Sequence, residues 1–274
     1  MKFKILDELS CSYRDKNEDY IWHDDDTIML LDGSTNLGLY GDLPDAQWFV
    51  KHFSVAFEKS KKNSTDISES LKKAIRILSY EFETVTGISP EKLSATSSAS
   101  LLLISAIGNN VNLFSLGDCS AIIYFKDNSE PKLIRRNDVS VLDNLVLNKM
   151  VSIAHELNIN VCDTLTNTII QDMLKENRKK MNTKDGYWIL SFCVEAIDHI
   201  TQVKFEKEKI DKVLVFSDGF DILTSAFLKE IPRKGLKSYY EELLEIEDSD
   251  YSFSKYPRFH LHDDTSAILI DFNY

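Results

Sequence analysis

Apolar runs rich in β-branched and aromatic residues recur along the chain, and each is bounded by a polar turn. Runs of this kind are typical of strands. They predict strands at 3–9, 27–32, 97–107, 111–117, 119–125, 131–135, 186–191, 213–217 and 265–271. The turn Gly108-Asn109-Asn110 is a strong hairpin signal between two of these runs. Consecutive strands joined by hairpins favour antiparallel sheets.

Other segments carry apolar side chains at helical spacing. Phe49, Phe53 and Phe57 lie on one face of a predicted helix at 45–60, and stripes of this kind usually face a core. Further helices are predicted at 66–85, 139–160, 164–181, 221–230 and 235–246. Because helices come in pairs between runs of strands, the order favours an α+β fold over a doubly wound parallel sheet. No repeat or flexible linker divides the chain, so we expect a single domain over residues 1–274.

Composition and charge exclude several classes of protein. The chain has 44 acidic residues against 32 Lys and Arg, a formal net charge of −12, which argues against nucleic acid as a partner. No apolar run approaches the ~20 residues that span a bilayer, so we expect no membrane association. The N-terminus is charged and lacks a signal-peptide core, and the four cysteines are far apart. We therefore expect a cytoplasmic protein with free thiols.

Aspartate and glycine are paired where predicted strands end. Asp32-Gly33 follows one apolar run, Gly117-Asp118 follows another, and Asp218-Gly219 follows a third. An Asp-Gly pair is most often a simple turn, and that interpretation suffices for Asp185-Gly186 in a polar stretch. It suffices less well for the other three, because a carboxylate at the end of a buried strand is costly unless it is paired or coordinated.

The acidic positions near strand ends suggest a metal centre. They are Glu18, Asp19, Asp32, Asp118, Asp218, Asp263 and Asp264. So many carboxylates in one place would repel each other unless some were protonated or cations were bound. Mg²⁺ or Mn²⁺ fits better than Zn²⁺, since no histidine or cysteine cluster accompanies the acids. Two such ions held by shared carboxylates make a bridging water nucleophilic near neutral pH.

Six short motifs occur in order between residues 14 and 266. They are Arg14-Asp-Lys-Asn-Glu18-Asp19, Asp32-Gly33, Ser94-Ala95-Thr96, Leu116-Gly117-Asp118, Phe216-Ser217-Asp218-Gly219 and Asp263-Asp264-Thr265-Ser266. In this order they resemble the metal-dependent protein phosphatase family of type 2C, also called PPM. The segment from Asn177 to Trp188 is similar to a segment of a bacterial branch of that family.

The resemblance implies an architecture and a cofactor. The fold would be two central antiparallel β-sheets packed as a sandwich, with helices on both outer faces and a metal centre in a cleft at one edge. Asp32 would bridge two Mn²⁺ or Mg²⁺ ions, and the carbonyl group of Gly33 would bind one of them. Glu18, Asp218 and Asp263 would complete the set of ligands.

Other residues would support this centre. Asp118, together with Asp218, matches the place where many members hold a third, weaker ion. Asp19 would hold the metal-binding residues in place without binding a metal ion itself. Within the full set of motifs, Arg14 would clamp the substrate phosphate. Taken alone, it is more typical of a surface salt bridge to Asp15 or Asp19. Asp264 and Asp221 are more typical of capping or structural residues.

The sequence departs from the family pattern after the bridging aspartate. Ser34 stands where many members have a histidine, and a serine is a poor general acid near neutral pH. His260 and His262 precede Asp263, and we interpret them as loop histidines without a catalytic role. Cys119 replaces the family's usual serine after Gly117-Asp118, which we interpret as a packing change, with an oxidisable thiol as the alternative.

The resemblance implies a serine/threonine phosphatase that acts on a phosphorylated protein, with a cognate Ser/Thr kinase as a possible partner. The alternative is a weak or inactive module on the same fold that binds phosphoproteins or acts as a scaffold. A two-metal nuclease ranks third, because the net charge of −12 opposes it. Residues 137–185 are a mostly helical insert, and we expect this insert to act as a flap that selects substrates beside the cleft.

Overall fold

A computed structural model describes residues 2–34, 43–64, 66–93, 95–221 and 229–272. Two sequence predictions fall partly outside these ranges: Ser94 of the third motif, and residues 222–228 of the predicted helix at 221–230. Among the described residues, no helix is both long enough and apolar enough to cross a membrane.

Ten strands form two five-stranded antiparallel sheets. The strands are β1 Lys4–Cys11, β2 Asp19–His23, β3 Thr27–Ser34, β4 Ser98–Ile107, β5 Asn110–Leu116, β6 Ser120–Phe125, β7 Lys132–Ile134, β8 Thr201–Glu206, β9 Ile210–Phe216 and β10 Thr265–Asp271. The first sheet has the order β1-β10-β9-β6-β7, and the second has the order β2-β3-β4-β5-β8. The chain passes from the second sheet to the first between β5 and β6.

Six α-helices lie within the described residues. They are α1 Ala46–Lys61, α2 Ile67–Thr86, α3 Asp138–Leu157, α4 Thr168–Lys179, α5 Ile231–Lys234 and α6 Leu236–Ser249. The first two begin at aspartates whose side chains accept hydrogen bonds from the backbone of the first turn: Asp45 from Trp48 and Asp66 from Ser68 and Glu69. Short 3₁₀ segments at Pro90–Lys92, Cys162–Thr166, Val194–His199, Lys207–Lys209 and Asp218–Phe220 complete the helical structure.

Successive side chains of a strand face opposite sides of its sheet, so each sheet packs against the other sheet on one side and against helices on the other, which gives four layers. In β3, Ile28 and Leu30 pack between the two sheets, whereas Met29 and Leu31 pack beneath α1 and α2. The outer face of the first sheet is covered by α5 and α6, which contribute residues such as Tyr239. The expected α+β sandwich of two antiparallel sheets with helices on both outer faces is therefore confirmed.

The two helices predicted between β7 and the later strands are present as α3 and α4. They share a small apolar cluster with the loop that precedes β10, including Met150, Ile170 and Phe253. A hydrogen bond of 3.3 Å from the side-chain amide of Asn177 to the Leu142 carbonyl also joins them. These helices thus have packing of their own beside the four layers.

One predicted strand is wrong, and two strands were missed. The segment 186–191 is not a strand; it is irregular and touches a sheet only through a bridge between Ala99 and Leu190. Two edge strands, β2 and β8, were not predicted. Edge strands carry polar side chains on their exposed face, so the apolar run that marks a buried strand is missing from both.

The contact between α1 and the second sheet generates a prediction about stability. Phe53 is fully buried in this layer, whereas Val55 on the same helix is 49% exposed. Phe53→Ala should lower the free energy of unfolding by about 3–5 kcal/mol, since it leaves a cavity. Val55→Ala is the matched control and should change it by less than about 0.5 kcal/mol. Urea denaturation measures both, and equal losses would contradict the layer assignment.

Candidate functional site

Strand register places Asp32 at the edge of the sandwich. Asp32 pairs with Asp19 on β2 and with Ser100 on β4. It follows Ile28 and Leu30 on the strand face that lies between the sheets. The side chain therefore emerges where the apolar layer between the sheets ends.

Glu18 is tied to this edge through Gly33. The Gly33 amide donates a hydrogen bond of 3.1 Å to the Glu18 carbonyl. A Cβ atom at position 33 would lie 2.4 Å from that same oxygen, so only glycine permits this approach. The glycine of the Asp32-Gly33 pair therefore brings Glu18 beside Asp32.

Asp118 lies in the connection between the two sheets. Gly117 has φ +88°, and a Cβ there would lie 2.3 Å from the Ser100 hydroxyl oxygen. This left-handed residue turns the chain so that the Ser100 hydroxyl donates to the Asp118 carboxylate. The Asp118 amide donates back to the Ser100 oxygen at 3.1 Å. Ser100, which the sequence did not single out, therefore fixes Asp118 beside Asp32.

Asp218 and Asp19 approach from the other side. The Ser217 hydroxyl donates to Asp19 Oδ2 at 2.8 Å, and the next residue, Asp218, begins a short 3₁₀ turn after β9. Desolvation raises the pKa of the Asp32 carboxyl group, and Asp218 lies close enough for its charge to raise this pKa further. The ends of β2, β3 and β9 thus bring three acidic side chains together.

Burial and mutual repulsion raise the pKa values of these acids. Desolvation, opposed in part by its hydroxyl partners, raises the pKa of Asp19 to about 7. Desolvation and then neighbouring charges raise the pKa values of Asp32 and Asp218 well above their ordinary range, and desolvation raises that of Asp118. Asp19 is only 4% exposed. The Asp218 side chain is exposed, yet the surrounding protein atoms and acids still disfavour its charged form.

Arg14 pairs with the acidic residues before β10. Its Nη2 atom lies 3.0 Å from Asp263 Oδ1 and 2.8 Å from Asp264 Oδ2. The Asp264 carboxylate, which is buried, also accepts a hydrogen bond of 2.8 Å from the Glu18 amide. Asp264 thus joins the loop that carries Arg14 and Glu18 to the start of β10. The Arg14 guanidinium lies at the rim of the acidic group and is itself 43% exposed.

The segment between α3 and Tyr187 contributes a second polar group that the sequence analysis missed. Arg178 on α4 is buried, and its guanidinium donates to the hydroxyl oxygens of Ser34 and Ser98. Desolvation raises the pKa of Asp143 on α3 to about 7. The charge of Asp118 raises this pKa further, and the charge of Arg178 lowers it. Arg178 follows Ser34 by 144 residues in the sequence, and no local pattern marks such a contact.

Other candidate residues have structural partners. His262 lies between Glu247 and Asp248, at 2.8 and 3.1 Å, and stacks on Tyr13. The Asp221 carboxylate pairs with Arg135.

Cys119 is fully buried, and this burial raises the pKa of its thiol well above the ordinary range. A buried thiol that is difficult to ionise matches a packing change and not an oxidisable site.

The carboxylate oxygens of this acidic group are chemically suited to a hard divalent cation. Asp19 Oδ1 is buried without a hydrogen-bond partner, and its acidic neighbours repel one another. Across the described ranges, however, no three carboxylate, imidazole or thiol groups converge as a ready-made metal site. Oxygen donors of this kind suit Mg²⁺ or Mn²⁺.

Comparison with solved structures identifies the fold. The catalytic domain of the serine/threonine phosphatase PstP, solved with two manganese ions, matches at a TM-score of 0.52 with 16% identity, covering 96% of each chain. Phosphatase Stp1 from Staphylococcus aureus matches at 0.53 with 14% identity, covering 98% of this chain and 95% of that one. The PPM phosphatase MsPP from Mycobacterium smegmatis, solved with cacodylate, matches at 0.52 with 14% identity, covering 97% and 98%.

No family model and no curated protein matches the sequence. At identities of 14–16% the structural likeness establishes the fold alone. The chain has the fold of the bacterial PPM-type serine/threonine phosphatases.

Proposed function

We propose that this protein is a metal-dependent phosphatase of the PPM family that hydrolyses phosphoserine or phosphothreonine in proteins. One observation carries the proposal: acidic residues from five of the six ordered motifs lie at one edge of a PPM-type sandwich, and desolvation and neighbouring charges raise the pKa values of Asp19, Asp32 and Asp218. A structural cluster of acids would be expected to carry matching cations. Here the carboxylates of Asp32 and Asp218 instead approach each other.

In this proposal Glu18, Asp32, Asp218, Asp263 and the Gly33 carbonyl hold two Mn²⁺ or Mg²⁺ ions. A third, weaker ion would be held by Asp118 with Asp218. The bound ions would supply a nucleophilic water near neutral pH and neutralise charge on the phosphoryl group.

The protein's own residues position the substrate and the ligands. Ser217 and Ser100 hold Asp19 and Asp118 in fixed orientations through their hydroxyl groups. Arg14 offers a guanidinium that can hold two phosphate oxygens at once. Because Arg14 lies on Asp263 and Asp264, a substrate phosphate competes with those carboxylates for it.

The fold and the substrate class suggest where specificity arises. We propose one domain over residues 1–274, with the insert at 137–185 as a flap beside the cleft. Helix α3 carries Asp143 close to Asp118, so this insert borders the acidic group. A phosphorylated protein is the proposed partner, and a Ser/Thr kinase that phosphorylates the same protein follows from that chemistry.

A second candidate is a phosphoprotein-binding module without catalytic activity. The pairing of Arg14 with Asp263 and Asp264, and the lack of converging acids among the described residues, favour it. The two candidates differ in metal affinity. Titration calorimetry that finds two Mn²⁺ ions per chain supports the phosphatase, and no measurable uptake supports the module.

Removing one proposed ligand should abolish activity. Asp218→Asn keeps the size of the side chain but removes its charge, and should lower Mn²⁺-dependent hydrolysis of a phosphothreonine peptide by about 100-fold or more. Asp185→Asn is the control, since Asp185 belongs to an exposed Asp-Gly turn outside the acidic group. It should leave the rate unchanged. Full activity in Asp218→Asn, or no activity of the unaltered protein with any divalent ion, rejects the proposal.

The raised carboxyl pKa values predict how stability depends on pH. The ordinary pKa of an aspartate is 3.8, and the pKa of Asp19 in the folded protein is about 7. At pH values between these two, Asp19 is therefore protonated to a greater extent in the folded state than in the unfolded state. The metal-free protein should therefore lose stability as pH rises through this window. Its Tm should fall by about 5 °C or more between pH 5 and pH 8.

Mn²⁺ should reverse this loss, because it binds deprotonated carboxylates, so it should raise Tm more at pH 8 than at pH 5. Asp19→Asn should flatten the pH profile, and Asp185→Asn should preserve it. Thermal unfolding followed by circular dichroism measures all four curves. A metal-free protein that gains stability over this range contradicts the electrostatics described for the site.

A further inference from the structure

An exposed aromatic ring lies immediately before Arg14 in the chain. Tyr13 is 59% exposed, and its ring stacks on the imidazole of His262 with the ring centroids 4.2 Å apart and the planes at 27°. Arg14 contacts Asp263, the residue that follows His262. Two consecutive residues of the first loop therefore contact two consecutive residues of the loop that precedes β10.

Both loops hold this ring in place. On one side, the Arg14 amide donates a hydrogen bond of 3.0 Å to the Ser12 hydroxyl oxygen, which also lies 3.3 Å from the Arg14 carbonyl oxygen. Beneath the ring, His262 lies 2.8 Å from Glu247 and 3.1 Å from Asp248. The His262 side chain is only 9% exposed. The ring therefore rests on a buried, hydrogen-bonded support, whereas most exposed side chains have no such support.

The charged groups around the stacked rings favour a positively charged ligand. Asp248 contacts His262 through Oδ1 and is still 63% exposed, so its carboxylate can accept a further partner. The nearby arginines already have carboxylate partners: Arg14 contacts Asp263, and Arg258 lies 3.0 Å from Asp250.

A guanidinium group matches this surface in two ways. The face of a tyrosine ring attracts a cation, and arginine lies flat on such rings more readily than lysine does. The planar fork of a guanidinium can also pair with a carboxylate beside the ring. An acidic side chain would be repelled by Asp248 and would gain nothing from the ring face.

The closeness of Tyr13 to Arg14 determines where such an arginine would lie in a substrate. Neighbouring Cα atoms are about 3.8 Å apart, and an extended peptide advances about 3.3–3.6 Å per residue. A side chain within three residues of the phosphorylated residue can therefore reach the Tyr13 ring while the phosphoryl group lies on Arg14.

We propose that Tyr13, together with Asp248, selects phosphoprotein substrates that carry an arginine within three residues of the phosphorylated serine or threonine. This inference rests on the proposed phosphatase function, in which Arg14 binds the phosphate. The substrate guanidinium stacks on Tyr13 and pairs with Asp248. Both contacts form when the substrate binds and do not change as the phosphoryl group reacts, so they lower KM and leave kcat nearly unchanged.

Phosphothreonine peptides test this preference. Each peptide has a single arginine within three residues of the phosphothreonine on an alanine background, and the reference peptide has none. The best arginine peptide should exceed the reference in kcat/KM by about three- to ten-fold, the combined effect of an exposed cation–π contact and an exposed ion pair. Glutamate at the same position should give a value below the reference. Salt at about 0.5 M should reduce the arginine advantage, because it screens exposed charges.

Variants of this chain show whether the advantage depends on the ring and the carboxylate. Tyr13→Leu should reduce the arginine advantage to less than about two-fold, Tyr13→Phe should retain most of it, and Asp248→Asn should lower it by about two-fold. The matched controls lie on α2: Tyr80→Leu removes a tyrosine that is 74% exposed, and Glu83→Gln removes an exposed acidic charge. Both should leave the advantage unchanged. Because the advantage is a ratio of two peptides on one variant, a general loss of activity cancels.

A non-hydrolysable analogue separates this inference from the proposed function. In the analogue, a methylene group replaces the ester oxygen of the phosphothreonine, and fluorescence anisotropy measures its Kd in the presence of Mn²⁺. The arginine analogue should bind about three- to ten-fold more tightly than the reference analogue, and Tyr13→Leu should abolish the difference. If the protein hydrolyses no phosphopeptide, the proposed function fails, yet this titration still decides the role of Tyr13. Equal Kd values for the two analogues, or an arginine advantage that persists in Tyr13→Leu, overturns the inference.

Discussion

Repulsion among partly desolvated carboxylates is the constraint on which this structure depends. Asp19, Asp32, Asp118 and Asp218 share the edge where two sheets end, and burial raises the pKa of each. A fold keeps such a group only when protons, hydroxyl donors or cations offset the charge. Here serine hydroxyls donate hydrogen bonds to Asp19 and Asp118, and the charge of Asp218 disfavours the charged form of Asp32. Once deprotonated, the carboxylates of Asp32, Asp118 and Asp218 offer oxygen atoms of the kind that Mg²⁺ or Mn²⁺ prefers.

The sandwich produces this edge through strand register and two glycines. The pairing of Asp32 with Asp19 and Ser100 places three polar residues in one row across β2, β3 and β4. Gly33 lets the Glu18 backbone approach, and Gly117 turns the chain from one sheet to the other. The buried strands provide rigidity, and the loops at their ends provide the acids. Because the acids lie in loops at the strand ends, the apolar core stays free of charged groups, and the functional groups lie at its edge.

Much of this could be predicted from the sequence, because buried strands and Asp-Gly turns leave local patterns. The runs before Asp32 and Asp218 are apolar and continuous, so both strands were predicted, although β3 continues two residues past Asp32 to Ser34 and β9 ends at Phe216. The edge strands β2 and β8 were missed because their exposed faces are polar. The segment 186–191 was predicted as a strand from its apolar residues, but tertiary packing leaves it irregular. Contacts over long separations, such as Arg178 with Ser34, arise from packing of the insert and leave no local pattern.

Arg14 Nη2 lies 3.0 Å from Oδ1 of Asp263, one of the proposed metal ligands. A crystal structure of the protein soaked in Mn²⁺, with anomalous scattering recorded at the manganese edge, tests the central claim most directly. We expect two manganese peaks between Asp32, Asp218 and Asp263, with Arg14 no longer in contact with Asp263. A soaked crystal without manganese at these carboxylates, and with the pairing of Arg14 and Asp263 retained, would contradict it.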